Sequence, residues 1–165
     1  MGPSSSHTLG PWRAAQYFTA SLEAAGKLEL VTHVQVLLYG SLAKTGKGHG
    51  TDIAVQMGLL GEDPVTCDVD GITQLIRNLQ NNKELILAQK HSIPFDPSTD
   101  IIFLMKETLP YHPNALSFLA TLSNGEHISE TYYSVGGGFV QQENERTDSR
   151  NQVQLPFPID KADDL

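Results

Sequence analysis

Leu116-Ser117-Phe118-Leu119-Ala120-Thr121-Leu122-Ser123-Asn124-Gly125-Glu126-His127-Ile128-Ser129-Glu130-Thr131-Tyr132-Tyr133-Ser134-Val135 is the stretch that decides the fold. Residues 116–122 and 128–135 read as strands, rich in apolar and β-prone side chains. The polar segment Ser123-Asn124-Gly125-Glu126 between them has hairpin-turn chemistry. Leu85-Ile86-Leu87-Ala88 and Ile101-Ile102-Phe103-Leu104-Met105 add further strands, with Pro94, Pro97, Pro110 and Pro113 in the connections. The second half is therefore predicted to be an antiparallel run.

The first half reads differently. Helical periodicity predicts a helix over 11–25, opened by Pro11 and closed by Gly26, with Ala14, Tyr17, Phe18, Ser21, Leu22 and Ala25 on one face. Residues 32–39 are a buried strand. Residues 40–50 are expected to form a glycine-rich loop. A helix follows from Thr51-Asp52 to Gly61, and Asp70 is placed to cap another over 71–81, with Ile72, Leu75, Ile76 and Leu79 at helical spacing. Three helices largely ahead of a strand run predict an α+β fold, with the helices packed on one face of a mostly antiparallel sheet. Residues 1–140 form the domain. The polar tail 141–165 reads as a linker.

Composition narrows the function. The chain has 165 residues, one domain's worth, with 11 Lys and Arg against 19 Asp and Glu. That acidic balance argues against a nucleic-acid or anionic-membrane partner. No apolar run is long enough to span a bilayer, and the small polar start does not read as a signal peptide. The one cysteine, Cys67, excludes an internal disulfide. A reducing, cytoplasmic setting is the expectation. One thiolate also cannot hold an iron–sulfur cluster, which normally takes three or four.

Three motifs carry chemistry. The first is Gly2-Pro3-Ser4-Ser5-Ser6-His7-Thr8, a polar loop leading into a helix. Its hydroxyls, imidazole and exposed helix amides suit a small anionic group. Capping serines are the simpler reading than a nucleophile beside a base, while a ligand seat or an acid–base His7 stays open. The second runs from Tyr39-Gly40-Ser41-Leu42-Ala43 through Thr45-Gly46-Lys47-Gly48-His49-Gly50-Thr51-Asp52. It fails as a phosphate-binding Walker loop, because Gly48 stands where Ser or Thr is required. Its glycines would let His49 approach a ligand. In the third, Tyr133-Ser134-Val135-Gly136-Gly137-Gly138-Phe139-Val140, the glycines imply a sheet-edge bulge or a binding turn. His33, His91, His112 and His127 lack metal-ligand spacing, so no metal site is expected.

Together, in this order, the three motifs resemble the β domain of bacterial iron–sulfur L-serine dehydratases, also called L-serine ammonia-lyases. The resemblance covers residues 2–140. It implies deamination of L-serine to pyruvate and ammonia, a step of amino-acid metabolism that feeds gluconeogenesis. It implies a [4Fe–4S] cluster in a separate catalytic α domain, acting as Lewis acid on the substrate hydroxyl. The cluster cysteines are absent here, so the chain is expected to be a fragment that is inactive alone. Its partners would be that α domain, L-serine and a second copy in a homodimer. The family's β domain is similar to the regulatory substrate-binding domain of some phosphoglycerate dehydrogenases. Under this resemblance His49, ranked first, and His7 are the candidate catalytic residues, because imidazole titrates nearest neutrality. Ser5, Ser6, Thr8 and Lys47 are the candidates for holding the substrate carboxylate. Two alternatives are an amino-acid-sensing module without chemistry and a purely structural dimerisation domain.

Overall fold

The computed structural model describes residues 7–65, 69–109, 113–136 and 139–142. Helix α1 (Leu9–Ala24) leads through a 3-10 turn (Leu28–Leu30) into β1 (Val31–Tyr39). Helices α2 (Gly40–His49), α3 (Thr51–Leu60) and α4 (Val69–Asn82) follow. The hairpin β2 (Glu84–Leu87) and β3 (His91–Pro94) comes next, then the short α5 (Pro97–Asp100) and β4 (Ile101–Leu104). Strands β5 (Ala115–Leu122), β6 (His127–Gly136) and β7 (Phe139–Gln142) finish the described chain.

The fold is α+β. Five strands form one mixed sheet in the order β4-β1-β5-β6-β7, and β2-β3 form a second, small sheet. The β5–β6 hairpin pairs as its turn predicts, from Ala115 opposite Tyr133 to Thr121 opposite His127. All pairs in the large sheet are antiparallel except one: β4 lies parallel to β1, Val36 beside Ile101 and Tyr39 beside Leu104. That pairing needs the long crossover through α2, α3, α4 and the small sheet.

One face of the large sheet carries the core. Val34, Val36 and Leu38 of β1, Leu116, Phe118 and Ala120 of β5, and Tyr132 of β6 join Ala14, Phe18 and Leu22 of α1 in a single cluster. Leu42 and Ala43 of α2, Val55 and Leu59 of α3, and Leu85 and Ile93 of the small sheet complete it. Phe18 stacks on Phe118 with centroids 4.9 Å apart, and Phe118 meets Tyr132 edge-on at 5.9 Å.

Four expectations are corrected. Residues 40–49 are not a loop but helix α2, because Leu42 and Ala43 are buried against the sheet and outweigh the glycines. It stops at Gly50, whose left-handed φ of 78° no side-chain-bearing residue adopts easily, and α3 starts at once. The buried stripe of α1 is rotated to Trp12, Ala14, Ala15, Phe18, Thr19 and Leu22. The helix is covered by the sheet on one side and by α3 on the other, which leaves Tyr17 49% exposed. Strands β3 and β7 and helix α5 are additional to the predicted elements. Finally, Gln141 and Gln142 belong to β7 rather than to a linker, paired with Tyr133 and Tyr132. The rest of the expected tail, 143–165, lies outside the described residues.

Candidate functional site

Strands β1, β4 and β6 all end at the same end of the large sheet, where β5 and β7 begin. The second motif starts where β1 stops, at Tyr39-Gly40. The third motif starts at the end of β6, an interior strand, where the pairing register with β7 shifts between Ser134 and Gly136. Gly137 and Gly138 lie outside the described residues. Chain direction alone therefore brings two motifs, some ninety positions apart, to one edge.

The first motif arrives by side-chain contacts. His7 Nε2 is 3.1 Å from the Ser41 hydroxyl, in the first turn of α2. The Thr51 hydroxyl, at the first residue of α3, donates to the His7 carbonyl. Thr51 is fully buried. His7 thus touches the first turn of α2 through its ring and the first residue of α3 through its carbonyl. Thr8 is the N-cap position of α1.

The β4–β5 connection closes the same end. A Cβ built on Gly40 would stand 2.6 Å from Thr108 Cγ2 and 3.3 Å from the Glu107 carbonyl oxygen. The Ser134 amide donates to the Asn114 carbonyl at 2.8 Å. Ser134 itself is fully buried, and its hydroxyl has no hydrogen-bond partner among the described residues. A buried hydroxyl of that kind is a natural contact for a ligand or water.

Backbone contributes to the electrostatics of this end, beside the Asp52 carboxylate in the first turn of α3. The N-termini of α1, α2 and α3 all lie within reach of His7. Helix N-termini carry partial positive charge and unsatisfied N–H groups, so they favour an anion such as a carboxylate.

Of the predicted site residues, the structure joins His7 to the second motif and places Thr8 beside it. Lys47 and His49 lie in the second half of α2, and His49 precedes Thr51 by two positions. Their side chains lie outside the described residues, as do Ser5 and Ser6. His33, His91 and His127 are elsewhere: His33 Nε2 is 2.9 Å from Asp100 Oδ1, and His91 Nε2 donates to the Val31 carbonyl at 2.8 Å. His112 and Cys67 lie outside the described residues. Among the described residues no group of three or more His, Cys, Asp or Glu side chains could hold a metal ion. No described helix is long and apolar enough to cross a membrane. Sequence reasoning missed Ser41, which lay in the expected loop, and Thr51, whose only signal is a hydroxyl at the start of the predicted helix.

A family model described as serine dehydratase beta chain matches residues 1–145. The chain belongs to the serine dehydratase beta chain family. L-serine dehydratase 1 of Escherichia coli K12 is 44% identical over 169 residues, across 100% of this chain and 37% of that protein. The L-serine dehydratase of Streptomyces coelicolor is 40% identical over 169 residues, and that of Helicobacter pylori 26695 is 49% identical over 146. The chain spans 37% of the Streptomyces protein and 31% of the Helicobacter one. The matched region of this serine dehydratase beta chain contains all three motifs.

Proposed function

We propose that this chain is the β portion of an L-serine dehydratase, and that the end of the sheet around His7 forms one wall of the site where L-serine loses water. The supporting observation is the pair of contacts from His7 to Ser41 and Thr51, which join the first two motifs into one constellation. Elimination from L-serine requires a base for the α-hydrogen and an acid for the departing hydroxyl. The resulting enamine then hydrolyses to pyruvate and ammonia. His7 and His49 are the groups proposed for proton transfer. The carboxylate is proposed to sit against the helix N-termini, held by Ser5, Ser6, Thr8 and Lys47.

The residues of this chain do not fit a [4Fe–4S] cluster: the sequence has one cysteine. Activity is therefore assigned to the longer protein, with the catalytic α domain as partner, in a cytoplasmic homodimer. A second reading, an amino-acid sensor similar to the regulatory domain of some phosphoglycerate dehydrogenases, draws on the same three helix N-termini. Titrating the chain alone with L-serine by calorimetry separates the two: saturable binding here favours the sensor. The decisive experiment is His49→Ala and His7→Ala in the full-length enzyme. Each is expected to lower kcat by roughly a hundredfold or more, the range for a lost acid or base, with cluster content unchanged. A wild-type kcat in both variants would overturn the assignment.

A further inference from the structure

The His7 carbonyl belongs to the turn that enters α1, and α1 cannot supply it with the ordinary helical donor. The residue four positions on is Pro11, which has no N–H. The helical ladder starts one residue later, with the Trp12 amide bonded to the Thr8 carbonyl at 3.0 Å. A donor reaches the His7 carbonyl from across the fold instead: the hydroxyl of Thr51. Thr51 is the first residue of α3 and is completely buried. Its hydroxyl bond is not a helix cap. A capping oxygen accepts from an amide of its own helix, whereas this hydroxyl donates to another segment. The cap position is Gly50, which carries no side chain. Were position 51 merely to be filled, an apolar side chain of the same size would serve without burying a group that needs a partner.

We propose that Thr51 is a positioning residue, its hydroxyl tethering the His7 backbone to the start of α3. This deepens the proposed function and rests on His7 taking part in it. The tether matters because of where Thr51 stands in the chain. His49, the other histidine proposed for proton transfer, is the last residue of α2, two positions before Thr51. Gly50 between them holds a left-handed φ of 78°, which turns the chain from one helix straight into the next. One buried hydrogen bond therefore ties the backbone of His7 to the short segment that carries His49. An acid–base group must lie within hydrogen-bond reach of the proton it moves, and a misplacement of about 1 Å can cost about a hundredfold in rate.

The full-length enzyme gives the functional test. Thr51→Val removes the donor and keeps the size, and is expected to lower kcat by about tenfold. Thr51→Ser keeps the donor and is expected to restore most of it. The double variant separates positioning from a purely structural role. If Thr51 acts through His7, Thr51→Val made in a His7→Ala background changes kcat little, because the positioned group is already gone. Multiplying effects in the double variant, or a wild-type kcat in Thr51→Val, would overturn the proposal. The tether itself is read in the chain alone, by amide exchange. Thr51→Val is expected to quicken exchange at Trp12, whose bond to Thr8 opens α1, by about fivefold relative to Val36 in the middle of β1. That is the effect of one ordinary hydrogen bond, and Thr51→Ser is expected to leave the rate unchanged. Equal changes at Trp12 and Val36 mean a loss of global stability alone and count against the tether. Nuclear Overhauser contacts between the Thr51 side chain and His7 are expected in the unaltered chain. Their absence would sink the proposal even where Thr51→Val does not fold. If His7→Ala leaves kcat intact, the functional reading falls, while the exchange data still decide the tether.

Discussion

Gly58 of α3 lies directly against the backbone of Trp12 in α1: a Cβ built there would stand 2.3 Å from the Trp12 carbonyl oxygen and 2.6 Å from Ala15 Cβ. The absence of a side chain is what lets the two helices touch. Around that contact, Trp12 Nε1 donates to the Glu62 carbonyl at 2.8 Å, just beyond the end of α3. Trp12 also packs with Ala54, Met57 and Ile76, tying α1, α3 and α4 together.

Gly58→Ala should therefore destabilise the chain, although alanine is the better helix former. Backbone atoms on the α1 side cannot swing away as a flexible side chain would. Overpacking of this kind costs about 1–3 kcal/mol. Urea unfolding curves check it. A gain in stability would mean that the helices separate freely.

The second prediction concerns the sheet–helix core. Phe118 is completely buried between the stacked ring of Phe18 and the edge of Tyr132. Phe118→Ala leaves a cavity beneath α1 and should cost about 3–5 kcal/mol. A loss below 1 kcal/mol would show that α1 collapses into the space.

What could be read in the sequence was local. The β5–β6 hairpin announces itself through Asn124-Gly125, and α3 through the glycines that bracket it. The amphipathic α4 buries Ile76 and Leu79 as its spacing predicts. What could not be read depends on distant partners. Gly46 and Gly48 make residues 40–49 look like a loop, and only burial of Leu42 and Ala43 against the sheet makes them helical. The parallel pairing of β4 with β1 joins Val36 to Ile101 across a crossover that no periodicity announces. The site follows the same division. The three motifs were visible, but the contacts of His7 with Ser41 and Thr51 cross 34 and 44 positions. A serine in an expected glycine-rich loop carries no sign of what it touches in space.

Asp96 gives the pH prediction. It caps α5, accepting hydrogen bonds from the Ser98 hydroxyl at 2.7 Å and the Ser98 amide at 3.0 Å. The Ser98 bonds, hydroxyl first, hold its carboxyl below the usual range, with help from the Lys83 ammonium. A carboxyl depressed in the folded state adds stability above its unfolded value, about pH 3.9, and loses it as pH falls through the lower folded value. Asp96→Ala should lower the urea midpoint at pH 7, and the gap from the unaltered chain should narrow in strong acid. An equal gap at both pH values would show that charge plays no part.

The last prediction tests how the second motif is seated. Gly40 has a φ of 47°, in the left-handed region, and its Cα faces Thr108 Cγ2, the Glu107 carbonyl and the Pro113 carbonyl. Gly40→Ala therefore meets two separate penalties. The first is conformational, about 1–2 kcal/mol for a Cβ in that region. The second is the clash, since the new Cβ would stand 2.6 Å from Thr108 Cγ2. Both displace the start of α2, and with it Ser41, from His7. The variant should be destabilised and should show a changed His7 ring environment by NMR. Adding Thr108→Ser removes the methyl group that clashes but leaves the backbone strain. The double variant should accordingly recover part of the stability and not all of it, a coupling that a double-mutant cycle measures. Full recovery would mean that φ at Gly40 relaxes at no cost. No recovery would mean that the carbonyls of Glu107 and Pro113, and not Thr108, set the limit.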